Sequence, residues 1–475
     1  MRCNPPGSRP LVIAALALVF SACNGNNIPA ANGIASGAPG LPAFLQTPQR
    51  VSSTVEPFHR RHAASGKIKH VVIIVQENRS FNNLLYGFPG ATTSKYGYDS
   101  SGNQIELKPI SLKTVWDLDH SSTSFFEACN GTGSIPGTDC QNNGFNKEWV
   151  GCGHSGGPPC PNQHPQYSYV PHSETKPYFA MGKQYVVADQ MYASNFDASS
   201  YISHQYIIAA QAESSVNYPW GAWGCDGGSG DMVALVGPDR QVPYGYQQAC
   251  YNDTSLGQEA DNAGVTWGFY TASLSGDGNI WSAYQANRYV YYGSDWKNDV
   301  ITPQTQFFND VSNGKLRQIS WITPTCENSD HAGCNSNTGP AWVASLVNAI
   351  GESQYWDSTA IFVFWDDYGG WYDSQPPAYV DYDGLGMRIP MIIVSPYAKK
   401  SFVSHVHYEH GSILRFVEDQ FGLGRLAASD ARATSPEKDC FNFKKPPRAF
   451  QAIPSVLGKD YFMHQPPDPR WPDEE

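Results

Sequence analysis

Uniformly apolar, β-branched runs recur along the chain, and each is bounded by turn residues. Such runs are typical of strands that are buried on both faces, as in a parallel sheet, rather than of half-exposed strands with alternating polarity. We predict strands at His70–Val75, Tyr185–Val187, Leu316–Ile322, Ala360–Phe364 and Ile389–Val394. All five are expected to run parallel.

Segments with helical periodicity lie between these runs. Residues Arg79–Tyr86 follow the first run, Ala341–Ile350 precede the fourth, and Ser412–Phe421 follow the fifth with apolar side chains on one face. Strands that alternate with helices predict an α/β fold, here a three-layer sandwich with a mostly parallel central sheet. The polar, Cys- and Gly-rich stretch 94–171 is expected to be a long loop insertion over the sheet edge.

The first residues have the pattern of an export signal. Arg2 and Arg9 precede the apolar run Leu11–Phe20, and small residues then lead to Cys23. The sequence Phe-Ser-Ala-Cys resembles a bacterial lipobox, in which the cysteine receives a lipid anchor to the membrane. We predict a signal peptide at 1–23, a flexible tether at 24–66 and one folded domain at 67–475. The protein is then exported, either as a periplasmic or cell-surface lipoprotein or as a secreted protein.

Composition narrows the class of partner. Of the 475 residues, 41% are hydrophobic and 16% are charged, which excludes a disordered chain. The net charge of −12 argues against nucleic acid, whose phosphate backbone favours an excess of Lys and Arg. An anionic ligand is still possible in a local pocket, because a metal ion can reverse the field there.

The cysteines fit an oxidising compartment. Eight of the 11 form neighbouring couples in polar loops, namely Cys129/Cys140, Cys152/Cys160, Cys225/Cys250 and Cys326/Cys334. Disulfides are favoured over zinc sites because no couple has the CxxC spacing of a zinc ligand pair. With Cys3 and Cys23 of the N-terminal segment set aside, Cys440 is left over.

Acidic side chains directly follow two of the predicted strands. Glu77 and Asn78 come after the first strand, and Asp366 and Asp367 come after the fourth, before a Gly pair. Ligands of open parallel sheets bind beyond the carboxyl ends of the strands, so these side chains are expected in one crevice. Carboxylates that lie so close together favour one divalent metal ion, of which Ca, Mg, Mn, Fe and Zn are all candidates. Alternatively, Glu77 begins a helix and the Asp pair is a solvated turn.

A series of short motifs runs along the predicted folded domain. It starts at Lys67–Gly87, around Glu-Asn-Arg-Ser-Phe, and continues through Asn143-Gly144-Phe145, Ala188-Asp189, Ser329-Asp330-His331, Asp366-Asp367-Tyr368-Gly369-Gly370, Arg388-Ile389-Pro390, Ser395-Pro396-Tyr397 and His410–Phe416. In their order along the chain these motifs resemble the bacterial phosphoesterase family, which contains phospholipases C and acid phosphatases on an alkaline-phosphatase-like core.

This resemblance implies roles for particular residues. The metal ligands would be Glu77, Asn78, Asp366 and Asp367. A serine nucleophile belongs in the segment Asp197–Tyr201, where Ser199 is the first choice and Ser200 the second. His120 would contact the phosphoryl group and His331 would protonate the leaving group. His204, His405, His407 and His410 have weaker claims.

The function that follows is hydrolysis of a phosphate ester, either a small phosphomonoester or a phospholipid head group. The chain ends soon after the last motif, without room for the β-domains of many phospholipases C. We therefore expect a phosphomonoesterase of the acid phosphatase type, with a phospholipase C-type phosphodiesterase as the alternative. A non-catalytic surface-binding lipoprotein is the competing hypothesis from another class, and bound metal would count against it.

Overall fold

The computed structural model describes residues 65–221, 224–272 and 281–470. The predicted signal peptide with Cys23, and nearly all of the predicted tether, lie outside the described residues. Within the described part, no helix has the length and apolar character needed to cross a membrane.

A nine-stranded sheet forms the centre of the fold. In chain order its strands are β1 (His70–Gln76), β2 (Val186–Tyr192), β3 (Trp267–Tyr270), β4 (Val300–Ile301), β5 (Ile319–Ile322), β6 (Thr359–Trp365), β7 (Arg388–Val394), β8 (Phe402–Ser404) and β9 (Tyr408–Glu409). Across the sheet the order is β4-β3-β5-β1-β6-β7-β2-β8, and β9 also pairs with β2.

The predicted α/β fold with a mostly parallel sheet is confirmed. Strand β7 runs antiparallel to both β6 and β2, whereas the other recorded pairings in this sheet are parallel. The prediction that Ile389–Val394 is a parallel strand is therefore wrong. The physical reason is the connection 366–387, which contains no helix to carry the chain back to the opposite edge of the sheet.

Helices cover the sheet in two groups. One group contains α3 (Lys176–Gln184), α8 (Gln306–Ser312), α9 (Gly339–Gly351) and α13 (Lys459–Met463), and the other contains α4 (Ser200–Ala209), α5 (Leu256–Ala263), α10 (His410–Phe421) and α11 (Ala428–Arg432). Because successive side chains of a strand point to opposite faces, the complete burial of Val71–Val75 shows that both faces are covered. The remaining helices are α1 (Phe81–Leu84), α2 (Ser122–Cys129), α6 (Arg288–Tyr292), α7 (Asp295–Asn298) and α12 (Glu437–Cys440).

Long connections carry short strands and disulfides. The insertion 94–171 contains the strand pair Tyr96–Tyr98 and Gln104–Glu106, and the pair Lys108–Pro109 and Ser168–Tyr169. A further small sheet joins Ser215–Val216, Met232–Leu235 and Gly245–Gln248. All four predicted disulfides are formed, and Cys440 is buried as a free thiol.

A buried ion pair joins the start of β7 to the connection before it. The Arg388 guanidinium donates to Asp373 Oδ1 over 2.9 Å and to Asp373 Oδ2 over 3.2 Å, and both side chains are fully buried. Arg388 also donates to the Asp189 carbonyl over 2.8 Å, while Asp373 accepts from the backbone of Asn82 over 2.9 Å. The pair thus connects α1, β2 and β7.

Replacing Arg388→Met should lower the free energy of unfolding by about 3–5 kcal/mol, because it leaves the Asp373 charge buried without its partner. Urea unfolding followed by circular dichroism measures this change. Arg317→Met is the matched control: its partner Asp299 lies 3.7 Å away and both are partly exposed, so a loss of under about 1 kcal/mol is expected. Equal losses in the two variants would contradict the assigned role of the buried pair.

Candidate active site

The carboxyl ends of four strands meet at one edge of the sheet. Strands β1, β2, β5 and β6 all point the same way, since β2 is separated from β6 by the antiparallel strand β7. The residues that follow them are Glu77 and Asn78 after β1, Asp366 and Asp367 after β6, Ser199 and Ser200 beyond β2, and His331 beyond β5. This edge is where open α/β sheets bind their ligands.

The turns after β1 and β6 are hydrogen-bonded to each other. The Asn78 backbone N–H donates to Asp366 Oδ1 over 3.0 Å, and the Arg79 N–H donates to the Asp367 carbonyl over 3.1 Å. Asn78 has a φ of 56°, in the left-handed region that asparagine tolerates better than most residues. A side chain at Gly369 would come within 2.3 Å of the Asn78 carbonyl oxygen, so the close approach of the two turns requires glycine there.

Three buried side chains form a cluster that can hold a metal ion. Ligand atoms of Glu77, His204 and Asp366 all lie within 4.8 Å of one another. His204 Nε2 is 3.2 Å from Glu77 Oε1 and 3.6 Å from Asp366 Oδ2. Asp366 Oδ2 is buried and receives no hydrogen bond from the described residues, which leaves its lone pairs for a cation. Two carboxylates and an imidazole suit several divalent metals, so the donor set fits the predicted ion.

The electrostatics of the Asp pair favour a cation. Burial raises the pKa of the Asp367 carboxyl far above its usual value, and the adjacent Asp366 charge raises it further. Burial acts in the same sense on Asp366, but the His204 imidazole and several hydrogen bonds outweigh it, so the pKa of Asp366 is lowered. Two buried carboxylates so close together hold both charges only when positive charge lies beside them.

The two candidate serines have different partners. Ser200 is the first residue of α4, and its Oγ lies 3.2 Å from Asp367 Oδ2 and 3.3 Å from Asn78 Oδ1. Ser199 instead donates to Asp197 Oδ1 over 3.1 Å. The structure therefore brings Ser200 into contact with two of the predicted metal ligands and turns Ser199 towards a different carboxylate.

His120 fixes the orientation of the Asn78 amide. Its Nδ1 lies 2.7 Å from the Leu118 carbonyl and therefore carries the proton, so its Nε2, at 2.8 Å, accepts from Asn78 Nδ2. With the amide nitrogen held by His120, the side-chain oxygen Oδ1 of Asn78 accepts a hydrogen bond from the Ser200 hydroxyl. The two imidazoles predicted to act together are near neighbours, since the ring centroids of His120 and His331 are 6.3 Å apart.

The other histidines lie in different surroundings. His405 is mostly exposed and pairs with Asp189 over 2.9 Å, and His407 stacks on Tyr192. His410 is buried beside Phe364, and burial lowers its pKa to about 4. Of these four histidines, for which the sequence offered weaker evidence, His204 lies in the cluster with Glu77 and Asp366. Its signal in the sequence was its position four residues after Ser200, which places both on one helix face.

A cavity of about 790 Å³ lies beside His331 and Tyr218, and its lining does not include Glu77, His204, Asp366 or Ser200. Its wall includes His331, and also Tyr218, whose hydroxyl accepts a hydrogen bond from the Ser200 backbone over 3.1 Å. The apolar part of the wall includes Trp116 and Trp149, while Asp117 and Asp119 contribute negative charge. The cavity has room for a substrate whose substituents extend beyond the reacting group.

A hydroxyl held beside a buried cluster that can hold a metal ion, at the carboxyl edge of an α/β sheet, suits a phosphoric ester hydrolase. The model of the Phosphoesterase family matches residues 68–424, and the chain belongs to this family. The predicted family resemblance is thereby confirmed.

Relatives in the family are named as phospholipases. A non-hemolytic phospholipase C of Burkholderia pseudomallei is 22% identical, over 92% of this chain and 67% of the relative. A non-hemolytic phospholipase C of Pseudomonas aeruginosa is 24% identical, over 86% of this chain and 61% of the relative. The chain thus spans about two thirds of the length of these two relatives.

Among solved structures, a protein in the alkaline phosphatase superfamily from Vibrio parahaemolyticus resembles the chain with a TM-score of 0.35 and 13% identity, covering 79% of this chain and 73% of that one. At this TM-score, the likeness has no bearing on reaction or substrate.

Replacing His204→Ala should weaken binding of a divalent ion by about tenfold or more, because it removes one of three clustered ligands. Isothermal titration of the chelator-treated protein with Mn²⁺, Ca²⁺ or Zn²⁺ measures the affinity. His405→Ala, an exposed histidine that also pairs with an aspartate, is the matched control and should bind as wild type does. Unchanged affinity in His204→Ala, with loss in Asn78→Ala and Asp367→Asn, would instead favour the all-oxygen ligand set expected from the sequence.

Proposed function

We propose that the chain is a metal-dependent phosphodiesterase of the phospholipase C type, with Ser200 as the nucleophile. The observation that carries the proposal is the position of Ser200 Oγ, 3.2 Å from Asp367 Oδ2 and beside the Glu77–His204–Asp366 cluster. Both relatives described above are named phospholipase C, which favours a phosphodiesterase over the phosphomonoesterase expected from the sequence.

The charge around the cavity also favours a diester. A phosphomonoester carries up to two negative charges, whereas a diester carries one. The cavity wall includes Asp117 and Asp119, and its Arg470 is already paired with Glu327 and Asp468. Such a wall repels the more highly charged substrate more strongly. Together with Trp116 and Trp149 it suits an ester that bears a cationic substituent, because aromatic faces attract cations.

The residues of the site supply the steps of a double displacement. Asp367 Oδ2 lies within hydrogen-bonding distance of the Ser200 hydroxyl and takes its proton as Oγ attacks phosphorus. The bond from phosphorus to the leaving alcohol then breaks, and His331, at the cavity wall, donates a proton to that oxygen. Water then attacks phosphorus and gives a proton back to His331, the bond from phosphorus to Ser200 Oγ breaks, and Oγ recovers its proton from Asp367 as the phosphoryl product leaves.

His120 and the residues of the metal-capable cluster act on the reaction without forming a bond to phosphorus. His120 has both ring nitrogens engaged, so we assign it the orientation of the Asn78 amide rather than the phosphoryl contact expected from the sequence. Glu77, His204 and Asp366 would hold the metal ion, with Asn78 and Asp367 beside it. When bound there, a divalent ion supplies positive charge that stabilises the developing negative charge on the phosphoryl oxygens.

Replacing Ser200→Ala should lower kcat by about 10³-fold or more, because it removes the nucleophile. Hydrolysis of p-nitrophenylphosphorylcholine with added metal measures this loss, and chelator should abolish the wild-type rate. Ser199→Ala, the neighbouring serine, should keep its rate within about tenfold, because its hydroxyl faces Asp197. The reverse pattern would make Ser199 the nucleophile.

The choice of substrate is tested with the same wild-type protein. p-Nitrophenyl phosphate should be cleaved more slowly than the choline diester across acid to alkaline pH. Faster cleavage of the monoester would restore the phosphomonoesterase hypothesis. If wild type cleaves neither ester with any added metal, the hydrolase proposal is overturned in favour of the binding lipoprotein.

We also propose that the protein acts outside the cytoplasm, anchored through Cys23. The four disulfides support an oxidising compartment. Bacteria that express the full chain and are fed a labelled fatty acid should incorporate the label into wild type but not into Cys23→Ala. An unlabelled wild type that is recovered in the medium would indicate secretion without an anchor.

A further inference from the structure

His331 lies in a short loop, residues 326–334. The inner side of this loop is hydrogen-bonded to residues at the ends of β1 and β6. The Gln76 side chain, next to Glu77, donates to the Asn328 carbonyl over 3.1 Å and accepts from the Asp330 backbone over 2.9 Å. The Trp365 indole, next to Asp366, donates to Asp330 Oδ2 over 3.1 Å. The inner side of the His331 loop is thus fixed to the ends of β1 and β6.

The outer side of the same loop is held by the segment 465–470, which we call the C-terminal strap. Asn328 donates to Gln465 Oε1 over 2.8 Å, and the Glu327 backbone donates to Asp468 Oδ2 over 2.6 Å. Arg470 donates to Glu327 Oε2 over 2.6 Å and to the Cys334 carbonyl. The strap therefore contacts both ends of a loop that the Cys326–Cys334 disulfide closes.

The strap also belongs to the cavity. Arg470 lines it together with His331, Cys326 and Cys334. The guanidinium is not placed to bind an anionic substrate, because two carboxylates hold it: Asp468 Oδ1 at 2.9 Å and Glu327 Oε2 at 2.6 Å. Its contacts fix the position of the loop rather than contribute charge to the ligand.

We propose that the C-terminal strap is a positioning element of the active site, which holds the His331 imidazole at the cavity wall through Arg470 and Asp468. This inference rests on the proposed function, in which His331 protonates the leaving group. Proton transfer requires the donor within hydrogen-bonding distance of the leaving oxygen, and a displacement of about 1 Å can lower a rate by 10²-fold. Partly exposed ion pairs contribute little to stability, so position rather than folding is what the strap provides.

The test compares Arg470→Ala and Asp468→Asn with His331→Ala, using a short-chain phosphatidylcholine and p-nitrophenylphosphorylcholine. From the phospholipid, diacylglycerol leaves as an alkoxide that needs a proton, whereas p-nitrophenolate leaves without one. Each strap variant should therefore lower kcat by about tenfold on the phospholipid, with a much smaller change on the p-nitrophenyl ester. Tm should shift by less than about 2 °C.

A double-mutant cycle tests whether Arg470 acts through His331. In the His331→Ala background, Arg470→Ala should have no further effect on kcat for the phospholipid, since the group that it positions is gone. Arg317→Ala is the matched control. Arg317 also pairs with a carboxylate, Asp299, but it precedes β5 at the opposite end of the sheet, so its rate should equal that of wild type.

The outcomes separate this inference from the proposed function. Equal losses on both esters, additive effects of Arg470→Ala and His331→Ala, or wild-type rates in both strap variants would each overturn the positioning role while leaving the phosphodiesterase intact. A wild-type protein without activity on either ester would overturn the proposed function itself. Both proposals would be supported if the strap variants lose activity mainly on the phospholipid and if Arg470→Ala has no further effect in the His331→Ala background.

Discussion

The hydrogen bond from the Asn78 backbone to the Asp366 carboxylate joins the ends of two neighbouring parallel strands, and the rest of the site is arranged around this junction. It holds the turn after β1 against the turn after β6, so closely that a side chain at Gly369 would clash with the Asn78 carbonyl. Strands β1 and β6 are buried and paired in register from His70 to Gln76. The junction is therefore held as rigidly as the sheet itself. Positions at the ends of such strands are defined more sharply than positions on free loops.

Negative charge concentrated at this junction is the main electrostatic constraint on the molecule. Glu77, Asp366 and Asp367 are fully buried; the His204 imidazole lies beside Glu77 and Asp366, and the charge of Asp367 is opposed in part by His120. A fold that buries like charges together gains nothing in stability from them unless a cation is present. The same residues that make the apoprotein electrostatically unfavourable therefore make a divalent ion a natural part of the folded protein.

Elements far apart in sequence complete the site by contacting this junction. Helix α4 brings Ser200 and His204, the long insertion brings His120, and the His331 loop is attached to Gln76 on one side and to the C-terminal strap on the other. The disulfides Cys152–Cys160 and Cys326–Cys334 close loops at the cavity wall, and each packs in a small apolar cluster. The sheet thus fixes the positions of the side chains at its carboxyl edge, while the loops determine the shape and charge of the cavity.

The sequence by itself determined the class of fold, the disulfide couples and the carboxylates at the strand ends. These features are local: uniformly apolar runs identify buried strands, and the residues directly after them must lie at one edge of the sheet. Only the tertiary structure distinguishes the surroundings of Ser199 and Ser200, whose hydroxyls face different carboxylates because one residue at the start of a helix turns a side chain by about 100°. It also decided the place of His204, the antiparallel direction of β7 and the contact of Arg470 with the His331 loop. Each of these depends on distances between segments remote in sequence, which no local pattern encodes.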